Sequence, residues 1–105
     1  MRVFVTGGTG LVGEPVVRAL VRRGDSVSAL VRNEPAATRM RALGATPVLG
    51  SVEDARMWDA ITAADGVIHS AALVAARIPW QSFFQVNVEG TRLAAATAHR
   101  LGARL

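Results

Sequence analysis

Apolar residues fall in four short blocks along the chain, each followed by a longer stretch patterned at helical spacing. Arg2 to Gly7 (RVFVTG) is β-branched, apolar and bounded by glycine, which predicts a buried strand. In the GEPVVRALVRRG that follows, Val16, Val17 and Leu20 share one helical face with Val12, while Arg18 and Arg22 take the opposite face. Pro15 suits a first turn, where no amide donor is needed, and Gly24 suits a helix stop. Ser26 to Val31 (SVSALV) predicts a second strand, and EPAATRMRALG a second helix with an early proline and a terminal glycine. TPVLG reads as a short third strand, VEDARMWDAITAADG carries a third helix, and GVIHSAA reads as a fourth strand. Pro79 to Gly102 reads as one long fourth helix, rich in strong helix formers towards its end.

Strand and helix thus alternate four times, the signature of parallel strands joined by right-handed helical crossovers. The strands are almost continuously apolar, as expected when helices cover both faces of a sheet. The predicted class is therefore α/β: a Rossmann-like, doubly wound parallel sheet made of four βα units. The 105 residues suit one domain with one core. After Gly102 only Ala103, Arg104 and Leu105 follow, where a doubly wound fold would place a fifth strand. The expectation is a half-domain over residues 1–105, truncated before that strand, with the fourth strand either left as an open apolar edge that favours homo-oligomers or covered by something else.

Composition removes several function classes. There is no cysteine, hence no disulfide, thiol catalysis or thiolate metal site. No apolar run approaches the ~20 residues needed to span a bilayer. The first residues lack the extended apolar region of a secretion signal, so a cytoplasmic location and no membrane partner are expected. The net charge is +4, and every basic residue is arginine. These arginines are dispersed apart from Arg22–Arg23, and no basic run alternates with aromatics, so no nucleic-acid partner is expected. The two histidines lie far apart, and a metal site has no support.

The densest chemistry lies in TGGTGLVG, Thr6 to Gly13, between the first strand and the first helix. Gly7, Gly10 and Gly13 recur at three-residue spacing, the context in which a glycine-rich turn holds a dinucleotide. Gly7 would allow the tight turn, Gly10 the approach of a pyrophosphate, and Gly13 close packing of helix on strand. The amides of Leu11 and Val12 would face the phosphates at the helix start, and Thr9 could add a hydroxyl. At the end of the second strand an acid would hold the ribose hydroxyls, whereas an arginine accommodates a 2′-phosphate. The chain reads ALVRN there, so Arg32 favours NADP over NAD. The alternative for Arg32 is a solvated loop residue, and for Arg39 and Arg41 ordinary surface helix charges.

Four segments, TGGTGLVG, GSVEDA (Gly50 to Ala55), HSAA (His69 to Ala72) and NVEGT (Asn87 to Thr91), together resemble the N-terminal half of an extended short-chain dehydrogenase/reductase. That group is the NAD-dependent epimerase/dehydratase family, and the resemblance covers essentially the whole chain. It implies that the loop after the third strand meets the adenine amino group. Ser51 stands where the family has an aspartate, and the Val52 backbone follows it. Ala71 and Ala72 resemble the small residues beside the pyrophosphate and ribose, with Leu73 and Val74 continuing towards the nicotinamide. Asn87 would steady the junction of the last helix with the neighbouring strand, and Gly90 would let that helix come close.

The family's catalysis uses a tyrosine and a lysine four residues later. This chain contains neither residue type, so no catalytic residue is assigned. The resemblance implies a parent oxidoreductase or epimerase that moves a hydride between the nicotinamide and a carbonyl or alcohol carbon. Its substrate, a nucleotide sugar or a small alcohol, would need the missing C-terminal half. The alternatives are a non-catalytic NADP-binding sensor and a structural module. His69 reads as a hydrogen-bonded core histidine, His99 as a solvated helix-end residue, Trp58 and Trp80 as packing residues, and Phe83 and Phe84 as core or interface residues.

Overall fold

The structure, a computed structural model, describes residues 1–71 and 79–105. Four strands, β1 (Arg2–Thr6), β2 (Ser26–Val31), β3 (Thr46–Leu49) and β4 (Gly66–His69), form one sheet in the order β3-β2-β1-β4. Every pairing is parallel: Val3 lies opposite Val27 and Gly66, and Ala29 opposite Pro47. The helices are α1 (Gly13–Arg22), α2 (Glu34–Ala42), α3 (Ala55–Asp59), α4 (Trp80–Phe84) and α5 (Gly90–Leu101), with a π turn at Gln85–Glu89 joining the last two. This is the Rossmann-like topology that the alternating pattern predicts.

Side chains alternate across the strands and build two cores. Val3, Val5, Val27, Ala29 and Val31 face Val17 of α1 and Ala37 and Met40 of α2. Phe4, Leu30 and Val67 face the other way, onto Met57 and Trp58 of α3 and Ala94 and Ala98 of α5. The alanines at four-residue spacing let α5 lie close to the sheet. Pro47 is accommodated because β3 is an edge strand, where a missing amide donor breaks no ladder on the outer side.

Trp58 anchors the second core. It is buried, its ring meets Phe4 edge-on at 5.5 Å, and its indole Nε1–H donates to the Val52 carbonyl at 2.7 Å. The third helix is much shorter than its sequence pattern, ending at Asp59. At the stop the Arg100 guanidinium of α5 donates to the carbonyls of Trp58, in the last turn, and Ile61, just beyond it, at 3.1 and 3.0 Å. The Trp58 carbonyl also accepts from the Ile61 amide at 3.1 Å, so the helix end is met both locally and by a side chain 39 or more residues away.

Three further expectations change. The long fourth helix is interrupted by the π turn, where the Thr91 hydroxyl donates to the Asn87 carbonyl at 2.7 Å. Trp80 is 73% exposed and stacks on Phe83 at 5.8 Å, and among the described residues neither Trp80 nor Phe84 packs in a core, which for Phe84 leaves the interface reading. At the outer edge of β4, Arg104 forms a parallel bridge with Gly66, and the Val67 amide donates to the Arg104 carbonyl at 2.7 Å. The edge is thus partly covered rather than wholly open.

Asp65 ties the start of β1 to the start of β4. Its carboxylate accepts from the Arg2 amide at 2.8 Å and from the Arg2 guanidinium, and its own amide donates to the Arg2 carbonyl. Hydrogen bonds from the Arg2 side chain and amide lower the Asp65 carboxyl to about 2. A carboxyl lowered in the folded state stabilises it above the unfolded value of 3.8 and loses that contribution as pH falls towards about 2. Thermal unfolding followed from pH 5 to pH 2 should therefore show a smaller acid-induced fall for Asp65→Asn than for the parent chain. Urea unfolding should show Trp58→Phe less stable by about 1–3 kcal/mol, because the buried Val52 carbonyl loses its donor.

Candidate functional site

A cleft of about 290 Å³ opens at the carboxyl ends of the strands. Gly7, Thr9 and Gly10 line it from the loop after β1, Arg32 and Asn33 from the end of β2, Val52 and Glu53 from the loop after β3, and Ser70 and Ala71 from the end of β4. Val86 of the π turn closes one side, and Leu30, Val31 and Ala36 complete an apolar floor. In an open parallel sheet this is where ligands bind, because strand order reverses there and leaves a crevice.

The loop from Gly7 to Val12 is held by steric exclusion. Gly7 has φ of 73°, and a Cβ there would lie 2.7 Å from the Ser70 hydroxyl and 2.8 Å from the Ala71 nitrogen. The Gly7 carbonyl accepts from the Gly10 amide at 3.0 Å and fills the space below α1: a Cβ on Gly13 would sit 1.8 Å from that oxygen. Any side chain at position 13 would push the helix off the loop. The first α1 hydrogen bond runs from the Glu14 amide to Gly10. Among the described residues, the amides of Leu11 and Val12 donate to no protein acceptor. They remain free at a helix N-terminus, where the dipole favours an anion.

Charge is distributed to match. Glu14, in the first turn of α1, is neutralised by Arg18 at 2.9 Å and by Arg39 of α2. Its carboxyl is held below the ordinary range, chiefly by the hydrogen bond from Arg18. Arg39 and Arg41 are surface helix charges, as expected, Arg41 lying near Glu34. Arg32 is exposed, lines the cleft and makes no ion pair among the described residues.

Of the residues singled out from sequence, Gly7, Thr9, Gly10, Arg32, Val52 and Ala71 line the cleft together. Leu11 and Val12 lie just outside it, 96% and 67% exposed, while Gly13 is buried beneath the loop. Ser51 does not line it; its carbonyl accepts from the Asp54 amide. Ala72, Leu73 and Val74 lie outside the described residues. Gly90 packs on Val52, where a Cβ would come within 2.9 Å of a Val52 methyl.

Sequence reasoning missed Asn33, Glu53, Ser70 and Val86. Asn33 caps α2 by accepting from the Ala36 amide at 2.9 Å, and its place directly after Arg32 at a strand end was the available signal. The Ser70 hydroxyl donates to the Thr6 carbonyl at 2.7 Å. Glu53 and Val86 carried no local signal, since only the crossing of their segments brings them to the cleft. Among the described residues no group of acidic residues and histidines could hold a metal ion. Nor is any helix among them long and apolar enough to cross a membrane.

His69, at the end of β4, is half-buried and uses both ring nitrogens: Nδ1 lies 2.8 Å from the Thr6 hydroxyl and Nε2 3.2 Å from the Thr91 hydroxyl. Burial pushes its pKa down. It is the hydrogen-bonded histidine that the sequence predicts.

A doubly wound βα fold with a glycine loop, free helix-start amides and a switch-point cleft defines a Rossmann-type nucleotide-binding unit. The chain belongs to the NmrA-like family, whose model matches residues 1–101. It is 46% identical over 99 residues to a 4-hydroxy-2-methyl-3-oxo-4-farnesyl-3,4-dihydroquinoline-1-oxide ketoreductase of Stigmatella aurantiaca, an alignment covering 93% of this chain and 30% of that protein. It is 37% identical over 106 residues to sterol demethylase protein B of Methylococcus capsulatus, covering 99% of this chain and 32% of that one. A crystal structure of a short-chain dehydrogenase/reductase superfamily protein from Agrobacterium tumefaciens with bound NAD superposes with a TM-score of 0.80 at 34% identity, covering 99% of this chain and 30% of that chain. The resemblance to extended short-chain dehydrogenases/reductases is thereby borne out, and the chain spans about a third of the length of these relatives.

The packing of Gly13 on the Gly7 carbonyl gives a direct test of the loop. Gly13→Ala should lower urea-unfolding stability by at least about 1–3 kcal/mol, the usual cost of overpacking. Gly10→Ala should cost less, because its Cβ would meet only the Gly7 oxygen, at 3.2 Å.

Proposed function

We propose that this chain binds the adenosine and diphosphate part of a nicotinamide dinucleotide, as the cofactor-holding part of a reductase or dehydrogenase. The observation that carries this reading is the pair of free amides at Leu11 and Val12, above a glycine loop whose geometry admits no side chain at Gly13. Such amides, with the helix dipole behind them, are suited to phosphate oxygens. The cleft volume of about 290 Å³ is at the low end for small-molecule sites, which suits part of a dinucleotide rather than all of it. The apolar floor suits an adenine ring. The similar Agrobacterium protein carries NAD, which supports the same class of ligand here.

Within that class, NADP is the preferred cofactor. Arg32 lines the cleft without an ion-pair partner among the described residues, and its planar guanidinium can take a 2′-phosphate in a two-pronged contact. No carboxylate stands at the end of β2 to hold a free ribose diol. When bound, the nicotinamide supplies hydride transfer. This chain's residues bind and orient the adenosine end and hold the phosphates with backbone amides.

For the parent reaction, a ketone or alcohol carbon is favoured over a nucleotide sugar, because the Stigmatella relative is named a ketoreductase. The tyrosine and lysine of the family's proton transfer are absent from these 105 residues, so the chain alone should bind cofactor without turning over substrate.

Isothermal calorimetry tests both levels. NADPH and NADH should each bind, with NADPH tighter. Arg32→Ala should weaken NADPH roughly tenfold, the scale of one charge-assisted hydrogen bond, and change NADH by less than about twofold. Equal weakening of both would remove Arg32 from the 2′-phosphate, and binding of neither would leave the structural-module alternative.

A further inference from the structure

The glycine loop departs from Thr6, a threonine with no exposed surface and every polar atom engaged. Its carbonyl accepts from the Ser70 hydroxyl at 2.7 Å and the Ser70 amide at 3.3 Å. Its hydroxyl oxygen lies 3.2 Å from the Ala71 amide and 2.8 Å from His69 Nδ1. On the far side of the ring, Nε2 lies 3.2 Å from the Thr91 hydroxyl, which itself donates to the Asn87 carbonyl at 2.7 Å.

These contacts fix the direction of every bond. A hydroxyl has one hydrogen. Thr91 spends its hydrogen on the Asn87 carbonyl, so towards His69 it can only accept, and Nε2 must carry the ring hydrogen. In the neutral ring Nδ1 is then bare and accepts the Thr6 hydrogen. That leaves a lone pair of the Thr6 oxygen for the Ala71 amide. The chain of donation runs from Ala71 through Thr6 to His69, and separately from His69 through Thr91 to the π turn.

We propose that His69 is a positioning residue: as the neutral, Nε2–H imidazole it locks the Thr6 hydroxyl, and through it the backbone from which the Gly7–Gly10 loop springs. A proton on Nδ1 reverses one link. The Thr6 oxygen would then face two donors, His69 Nδ1–H and the Ala71 amide, while its own hydrogen lost its acceptor inside a buried site. That conflict falls at the point where Gly7 lies against Ser70 and Ala71 with no room for even a Cβ.

Among the described residues, the ring's neighbours offer no competing charge. From β1 it meets Thr6, from α5 Thr91, and from α3 the edge-on ring of Trp58 at 6.3 Å. Of the charged and titratable residues on these elements and the π turn, Asp59 and His99 are exposed, and the others are paired among the described residues. Arg92 pairs with Glu89, Arg100 with the Trp58 and Ile61 carbonyls, Arg56 with Asp54, and Arg2 with Asp65. The consequence for cofactor binding rests on the dinucleotide reading above; the lock on the loop does not.

Nitrogen-15 NMR of the full 105-residue chain, titrated from pH 8 to pH 5 with and without NADPH, tests the proposal. His69 is expected in the Nε2–H tautomer, with the Gly7, Gly8 and Gly10 amide resonances moving at its titration midpoint. NADPH should lower that midpoint, because a ligand that prefers the neutral ring must by linkage disfavour its protonation. His69→Asn keeps an acceptor at the Nδ1 position and should hold NADPH within about twofold, with no pH dependence in this range. His69→Phe keeps the ring and loses both bonds, and should weaken NADPH roughly tenfold. An Nδ1–H tautomer, or glycine amides indifferent to His69 titration, would overturn the lock even if His69→Phe did not fold. Glycine amides that follow His69 in a chain that binds neither nucleotide would uphold the lock and refute the dinucleotide reading instead.

Discussion

The Gly7 carbonyl is the point on which this molecule turns. It accepts from the Gly10 amide and lies against the Cα of Gly13, in space that any Cβ there would need. That contact sets how far α1 sits from the end of β1, and so where the free amides of Leu11 and Val12 emerge. The sheet, the cleft and the helix-start amides are related by one oxygen atom and the absence of one methyl group. The same loop is pressed from the other side by Ser70 and Ala71, just past the end of β4, which pairs with β1.

Much of this was legible in the sequence because it is local. A β-branched run ending in TGGTGLVG states both a strand and the turn that leaves it. The apolar alternation of Val3, Phe4 and Val5 states a sheet covered on two faces, and the two observed cores divide along that alternation. Pro15 and Pro35 marked helix starts that the structure contains. What could not be read is carried by contacts between distant segments. Arg100 reaches the Trp58 carbonyl at the end of the third helix from 42 residues away, and no residue near Asp59 announces that. Trp80 and Trp58 look alike in sequence, yet among the described residues only Trp58 meets a partner carbonyl and a core.

The site shows the same division. Gly7, Gly10 and Arg32 were found because spacing or position after a strand is a local signal. Glu53 and Val86 reach the cleft only through the course of their loops, and Ser70 was overlooked because its role is to hold Thr6. The polar atoms that matter most to the loop are buried ones serving the backbone. Among the charges, arginine does both jobs, tying helix to helix through Glu14 and, at Arg32, lining the cleft without an ion pair among the described residues.

The π turn at Gln85–Glu89 has a consequence for how the last helix is read. Val86 and Ala94 are eight residues apart, which in an unbroken α-helix would leave them about 80° out of line. The wide turn absorbs roughly one surplus residue, about 100° of rotation, and brings Val86 back over the stripe of Ala94 and Ala98. One helix thereby serves both the mouth of the cleft and the floor of the core. Related chains with one residue fewer in this turn would align without a gap anywhere else, yet present a different side chain to the cleft.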